Sequence, residues 1–244
     1  RQPSLLEGVL RHKPAAVMLS FGDPRPFSEA IHDAGAVLIC QCQDLSHVRD
    51  AVAAGARVVV AQGSEAGGHG ASRGTLAFVP EAADWLAAHA PDTLLLAAGG
   101  IADGRGLAAA LVLGADGVLM GTRLWASAEA LVKPGHHQAI VQTDGDGTLR
   151  TRLPDIAREL PWPAGFTARI RRNAFTERWH GREDALKAAL AEEGPRYRQA
   201  LEAGDPEQTA VWFGEAAGLV HAIEPAAKIL QDTVRQAVER LASR

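Results

Sequence analysis

Glu65 and His69 are the residues best placed for chemistry, because both are ionisable and both lie in one glycine-rich loop. The surrounding stretch is RVVVAQGSEAGGHGASRGT, residues 57–75. Its apolar, β-branched start predicts a buried strand, and the glycines that follow let the backbone turn freely. Histidine titrates near neutral pH, so His69 could exchange a proton with a substrate. It could equally be a solvated residue that only hydrogen-bonds Glu65, and position alone leaves both interpretations open.

Two later predicted strands also end in glycine, at Gly99-Gly100 and at Gly121-Thr122. Glycine lets backbone N–H groups approach an anion closely, and Thr122 adds a hydroxyl. Two such ends on consecutive strands predict a phosphate site, although a sharp strand-to-helix turn uses glycine for steric reasons alone. We interpret Arg123 as a structural residue near the same rim.

Three amides, Gln41, Gln43 and Gln62, lie at the ends of strands that are otherwise apolar. A buried amide needs hydrogen-bond partners, and the edge of a heteroaromatic ring would supply both donors and acceptors. A network among the amides themselves is the alternative. The cysteines at 40 and 42 alternate with Gln41, so we expect them to face the surrounding helices as small apolar side chains and not to form a disulfide.

Composition restricts the function further. The 244 residues carry a formal net charge of -4 without a long basic or acidic run, so nucleic acid is not an expected partner. No apolar stretch is long enough for a membrane helix, and no cluster has the spacing of zinc ligands, so we expect neither a membrane nor a metal site. Two cysteines alone are consistent with a reducing, cytoplasmic location.

Residues 15–123 repeat one pattern five times, a short apolar run followed by a helical segment. This pattern is typical of parallel strands buried on both faces. The glycine ends suit the seventh and eighth strands of a (β/α)8 TIM barrel, which makes 15–21 the fourth strand. Strands one to three would then precede residue 1, in a longer protein. A doubly wound open sheet is the alternative and needs no further strands. We predict a barrel portion at 1–130 and a mainly helical cap at 131–244.

The cap region is polar and carries tryptophan and proline. VQTDGDGTLRTRL, residues 141–153, predicts two short strands around a turn. Three helices are predicted after it, near 183–202, 206–221 and 225–242. The last has Pro225 in its first turn and one apolar face.

Four segments together resemble the nitronate monooxygenase family of FMN-dependent barrel enzymes: AQGSEAGGHG, AAGGIADGRGLAAALVLGADGVLMGTR, WPAGFTARI and VWFGEAAGLVHAIEPAAKIL. The resemblance extends over nearly the whole chain. The EAGGH loop is specific to this family and its near relatives, whereas the GGI and MGTR segments occur in many phosphate-binding barrels. The family's Pro-Met-Gly type segment on its first strand is not found in this sequence.

The resemblance implies a role for each candidate residue. His69 corresponds to the catalytic histidine, and the phosphate of FMN is expected at Gly99, Gly100, Gly121 and Thr122. The remaining cofactor contacts are expected from polar or glycine positions on two strands and the loop: Gln41, Gln62, Gly63, Gly67 and Gly68.

The implied reaction is oxidation of an alkyl nitronate, or of a nitroalkane, by O2 to a carbonyl compound and nitrite. Two alternatives stay open. An FMN-dependent enoyl-acyl-carrier-protein reductase shares the EAGGH loop, and a flavin-free, non-catalytic barrel remnant would share the fold. The sequence does not predict the oligomeric state or the physiological substrate.

Overall fold

A computed structural model describes residues 3–243 of the chain. The strands are β1 (Ala16–Ser20), β2 (Val37–Cys42), β3 (Val58–Gln62), β4 (Gly68–Gly70), β5 (Leu94–Ala98), β6 (Gly117–Leu119), β7 (Thr148–Thr151) and β8 (Thr167–Arg171). The helices are α1 (Pro3–Leu10), α2 (Arg25–Asp33), α3 (Leu45–Ala53), α4 (Thr75–His89), α5 (Gly104–Val112), α6 (Thr122–Trp125), α7 (Pro134–Val141), α8 (Leu153–Ala157), α9 (Ala174–Trp179), α10 (Glu183–Ala188), α11 (Leu190–Ala203) and α12 (Ala226–Ala242).

The chain forms two compact units. The first contains residues 1–63, 73–98 and 109–119, and the second contains 64–72, 99–108 and 120–244. The predicted boundary after residue 130 stays a prediction. Within the described part of the chain, no helix has the length and apolar character needed to cross a membrane.

The first unit is built on a parallel sheet with the strand order β1-β2-β3-β5-β6. Every neighbouring pair is parallel, as the repeated pattern predicts. A doubly wound sheet reverses its strand order near the middle, whereas this sheet adds each parallel strand beside the preceding one. The doubly wound alternative is therefore wrong. The position of these strands as fourth to eighth in a barrel stays a prediction.

Burial on both faces explains why apolar and polar residues do not alternate along the strands. Val59, Val60 and Ala61 are consecutive in β3 and are all fully buried, so both faces of this strand are covered. On α3, the N-cap residue Asp44 accepts a hydrogen bond from the backbone N–H of His47 at 2.9 Å.

The two cysteines of β2 are buried free thiols. Burial raises the pKa of the Cys40 thiol to about 11, and it raises the pKa of Cys42 as well. Both thiols therefore stay protonated at neutral pH and behave as the small apolar side chains that the sequence predicts.

The second unit contains a three-stranded antiparallel sheet in the order β4-β8-β7. The predicted strand at the start of 141–153 is wrong, because α7 ends at Val141 and residues 142–147 form no strand. The predicted second strand is present as β7. The predicted 183–202 helix is interrupted at Ala189, between α10 and α11. The predicted final helix is confirmed by α12.

The predicted 206–221 helix is wrong, since residues 206–214 form turns and irregular backbone and only a short 3₁₀ helix, Glu215–Leu219, follows. Its backbone bonds outward instead of within a helix. The carbonyl of Val211 accepts from the N–H of Arg171 at 3.0 Å, and Val211 and Phe213 are fully buried on either side of a partly exposed Trp212. Such alternation is a strand-like and not a helical period.

Candidate active site

His69 lies in the middle of β4, where it is held in antiparallel register opposite Ala168 of β8. Its Nε2 is 2.8 Å from Oδ1 of Asp155, a residue 86 positions further along the chain on α8. The His69 side chain is 12% exposed and the Asp155 side chain is 2% exposed. The structure therefore pairs His69 with a buried acid that the sequence pattern did not reveal, and His69 is not a solvated residue.

Aromatic rings surround His69 in the second unit. The Trp162 ring stacks on the imidazole with a centroid separation of 3.6 Å and an angle of 9° between the planes. The ring centroid of Trp212 lies 5.7 Å from that of His69, and the ring centroid of Phe166 lies 6.2 Å from that of Trp162. These rings belong to the WPAGF and VWFGEAAGL segments, so the family-like motifs that carried no assigned role in the sequence come together around the histidine.

Two arginines hold the loop that carries His69. Arg150 of β7 donates from Nη1 to the Ser64 carbonyl at 3.1 Å and from Nη2 to the Gly70 carbonyl at 2.5 Å. Arg169 of β8, which is the cross-strand neighbour of Arg150, donates from Nε to the Ser64 carbonyl at 2.9 Å. One guanidinium therefore spans both ends of the loop, and the second reinforces its start.

These arginines are unusual because they are largely removed from water. Burial, and then the neighbouring charge of Arg169, lowers the pKa of Arg150 to about 10. Burial also lowers the pKa of Arg169, while its ion pair with Glu215 at 2.9 Å acts in the opposite direction. Burying two cations side by side is costly. Their contacts point to a role in fixing the loop geometry.

Gly67 has a packing reason to be glycine. A Cβ atom there would lie 2.5 Å from the carbonyl carbon of Phe213 and 2.6 Å from the nitrogen of Gly214. The same approach is stabilised by a hydrogen bond from the Glu215 N–H to the Glu65 carbonyl at 3.0 Å. The structure thus places Gly67, which the resemblance assigned to the cofactor, against backbone. Its neighbour Gly68 has a φ of 76° and open space at its Cβ position.

The predicted phosphate residues differ in why they are glycine. Gly99 and Gly100 have φ values of 103° and 74°, which only glycine adopts easily. Gly121 has an ordinary φ of -93°, and a Cβ atom there would meet nothing within 4 Å. Neither backbone strain nor crowding therefore explains the missing side chain of Gly121. The adjacent Thr122 hydroxyl accepts a hydrogen bond from the Gly214 N–H at 2.9 Å.

The predicted amides lie in the first unit. Gln43 donates from Nε2 to Oε1 of Gln62 at 3.0 Å, and both side chains are buried. Oε1 of Gln43 has no hydrogen-bond partner among the residues that the structure describes. Gln41 and Gln43 both line a cavity of about 620 Å³, and the N–H of Gly63 bonds the Ala98 carbonyl at 2.8 Å. The amide that pairs with Gln62 is thus Gln43 and not Gln41.

Within residues 3–243, no group of three or more His, Cys, Asp or Glu side chains is arranged to hold a metal ion.

The model of the nitronate monooxygenase family matches residues 4–236. The chain belongs to the nitronate monooxygenase family. This family consists of flavin-dependent oxidoreductases, so the resemblance stated from the sequence is confirmed.

Curated relatives agree with the family assignment. The chain is 32% identical to a nitronate monooxygenase of Neurospora crassa, over 98% of this chain and 67% of that protein. It is 36% identical to nitronate monooxygenase npaC of Metarhizium robertsii, over 95% and 69%. It is 35% identical to a nitronate monooxygenase of Pseudomonas aeruginosa, over 96% and 66%. The chain thus spans about two thirds of the length of these relatives.

Two solved structures resemble the chain closely. FabK from Thermotoga maritima has a TM-score of 0.86 and 30% identity, over 99% of this chain and 75% of that one. Nitroalkane oxidase from Streptomyces ansochromogenes has a TM-score of 0.77 and 27% identity, over 98% and 69%. With the parallel sheet of the first unit, these neighbours support an α/β fold of the TIM-barrel type.

Proposed function

We propose that this nitronate monooxygenase family member binds FMN and oxidises alkyl nitronates with O2 to a carbonyl compound and nitrite. The observation that carries the proposal is His69, held on its loop by Arg150 and fixed at Nε2 by the buried Asp155. A nitronate is a small anion, so it needs a hydrogen-bonding partner in a site that excludes water. An imidazole stacked against Trp162 supplies both conditions.

The same residues suit neutral nitroalkanes as a second substrate class. A nitroalkane must first lose its α-proton to become a nitronate, and histidine is the side chain whose pKa suits a general base near neutral pH. The rings of Trp162 and Trp212 provide an apolar wall for the alkyl group. The protonated ring of His69 would hold a nitronate through an N–H group, whereas the neutral ring would remove the α-proton of a nitroalkane.

FMN fits the residues of the second unit that the sequence assigned to its phosphate. Because Gly121 has no side chain, an anion has room beside it. The proposed hydrogen-bond donors to this anion are the backbone N–H groups of Gly99 and Gly100 and the hydroxyl of Thr122. Bound FMN would take electrons from the nitronate and pass them to O2. In the first unit, the orphaned Oε1 of Gln43 is an acceptor that suits a ring N–H, which adds Gln43 to the proposed ring contacts Gln41, Gln62 and Gly63.

Gly121 provides the sharpest test of the phosphate site. Gly121→Val should leave the melting temperature of the apoprotein almost unchanged, because its Cβ meets no protein atom within 4 Å. It should weaken FMN binding by at least roughly tenfold, since it fills the space that we assign to the phosphate. Titration of the apoprotein with FMN, followed by flavin fluorescence, measures the affinity. Gly100 is a poorer choice, because its φ of 74° strains any side chain.

Gly8→Ala is the matched control, since Gly8 also has open space at its Cβ position. It should leave FMN affinity unchanged. Equal FMN affinity in Gly121→Val and the unsubstituted protein would place the phosphate elsewhere. A protein that binds no FMN at all would instead support the flavin-free remnant.

The FabK structure gives a specific reason to retain the enoyl reductase as a second candidate, because it covers 99% of this chain at a TM-score of 0.86. The curated nitronate monooxygenases match over a similar share at equal or higher identity. The WPAGF and GEAAGL segments also resemble the monooxygenase more than the reductase. A cytoplasmic location is our expectation from the two free, buried thiols.

A further inference from the structure

We propose that Asp155 is a positioning residue that fixes which ring nitrogen of His69 carries the proton. This inference rests on the proposed function, in which His69 takes the α-proton of a nitroalkane. The contact is short, at 2.8 Å between Nε2 and Oδ1, and both side chains are nearly excluded from water. An ordinary ion pair at the protein surface is as short but stays exposed to water, so burial is what distinguishes this contact.

Asp155 has no evident structural reason to be an acid. It lies in the first turn of α8, yet its side chain does not cap that helix. Its second oxygen, Oδ2, has no hydrogen-bond partner in the part of the chain that the structure describes. Burying a carboxylate with an unsatisfied oxygen costs stability. Among the described residues, Asp155 bonds through its side chain to His69 alone. The contact with His69 therefore explains why an acid is buried at this position.

The charge of Asp155 determines the tautomer. An ionised carboxylate only accepts hydrogen bonds, so Nε2 of His69 must carry a hydrogen and the lone pair of the neutral ring lies on Nδ1. When the α C–H bond of a nitroalkane breaks, its electron pair forms the C=N bond of the nitronate and the proton goes to Nδ1. The resulting imidazolium is stabilised by Asp155 and by the stacked face of Trp162, and the second proton stays on Nε2.

The first experiment reads the tautomer directly and needs no turnover. Long-range ¹H–¹⁵N spectra of the histidine rings, with His69 assigned by its absence in His69→Gln, should show a protonated Nε2 with a strongly deshielded hydrogen. In Asp155→Asn this hydrogen should move upfield, because a neutral amide is a weaker acceptor than a carboxylate. A proton on Nδ1 in the unsubstituted protein, or an unchanged hydrogen in the variant, would overturn the proposal.

The second experiment separates positioning from structural support. With flavin content matched, Asp155→Asn should lower kcat/KM for a neutral nitroalkane by roughly 10²-fold, and for the pre-formed nitronate by less than about threefold. In a His69→Asn background, Asp155→Asn should cause no further loss, since it acts through His69. Asp184→Asn is the control, because Asp184 is an exposed acid of the same unit paired with Lys187.

The outcomes separate this proposal from the proposed function. Equal losses for the two substrates, or an added loss in the His69→Asn background, would show that Asp155 only supports the fold. If the unsubstituted protein oxidises neither substrate, the proposed function fails. In that case the ring spectra still decide whether Asp155 fixes the tautomer.

Discussion

In the flavin-loaded protein, His69→Asn is expected to lower kcat/KM for a neutral nitroalkane by roughly 10²- to 10⁴-fold, the range that general base catalysis contributes. The pre-formed nitronate should lose much less. Asparagine keeps a hydrogen-bond donor that can hold the nitronate oxygens, but it cannot take up the α-proton. Steady-state kinetics with both substrates, at matched flavin content, measure the two losses.

The ratio of the nitroalkane loss to the nitronate loss shows whether His69 acts as a base. His180→Asn is the control, since His180 has an exposed side chain in the same unit and should leave both activities unchanged. Equal losses in His69→Asn would mean that the imidazole only positions the substrate. No loss with either substrate would remove His69 from the active site.

Gly67→Ala is expected to have the second large effect, although it adds a single methyl group. That methyl would lie 2.5 Å from the carbonyl carbon of Phe213, and backbone cannot move aside as a flexible side chain can. We expect the free energy of unfolding to fall by about 1–3 kcal/mol, as in other overpacked sites. Because His69 lies two residues further on, its displacement should also lower kcat/KM by roughly 10²-fold. Denaturant unfolding and nitronate kinetics measure the two effects.

The facing residue Gly214 provides an internal check on Gly67. A Cβ at Gly214 would lie 2.6 Å from the nitrogen of Gly67, so either substitution opens the same gap. The double variant should therefore be less destabilised than the sum of the two single variants. Gly121→Ala in the apoprotein is the control with an ordinary φ and free space. Stability of Gly67→Ala equal to that of Gly121→Ala would contradict the packing argument.

The strands of the first unit could be predicted because a short apolar run in the local sequence is enough to indicate each of them. Val58 to Ala61 form an unbroken apolar run, and the structure pairs this run with parallel strands on both sides. The loop with His69 follows that strand and could be identified for the same reason. Local patterns of this kind depend on no distant contact.

The partners of His69 could not be predicted, because they come from distant and irregular sequence. Asp155 is 86 residues away from His69, on a helix of five residues that has no periodic pattern of its own. Arg150 and Arg169 lie on strands of four and five residues, which are too short for a clear alternation. Only the antiparallel pairing of β4, β8 and β7 brings these side chains to the loop.

The most direct test of the proposed function is which reductant bleaches the bound flavin without oxygen. The FMN-loaded protein is mixed anaerobically with either an alkyl nitronate or NADH, and the flavin absorbance is followed before air is admitted and nitrite is measured. We predict rapid bleaching by the nitronate, release of nitrite once oxygen is present, and no rapid response to NADH. Rapid bleaching by NADH with no response to the nitronate would contradict this account and support the enoyl reductase.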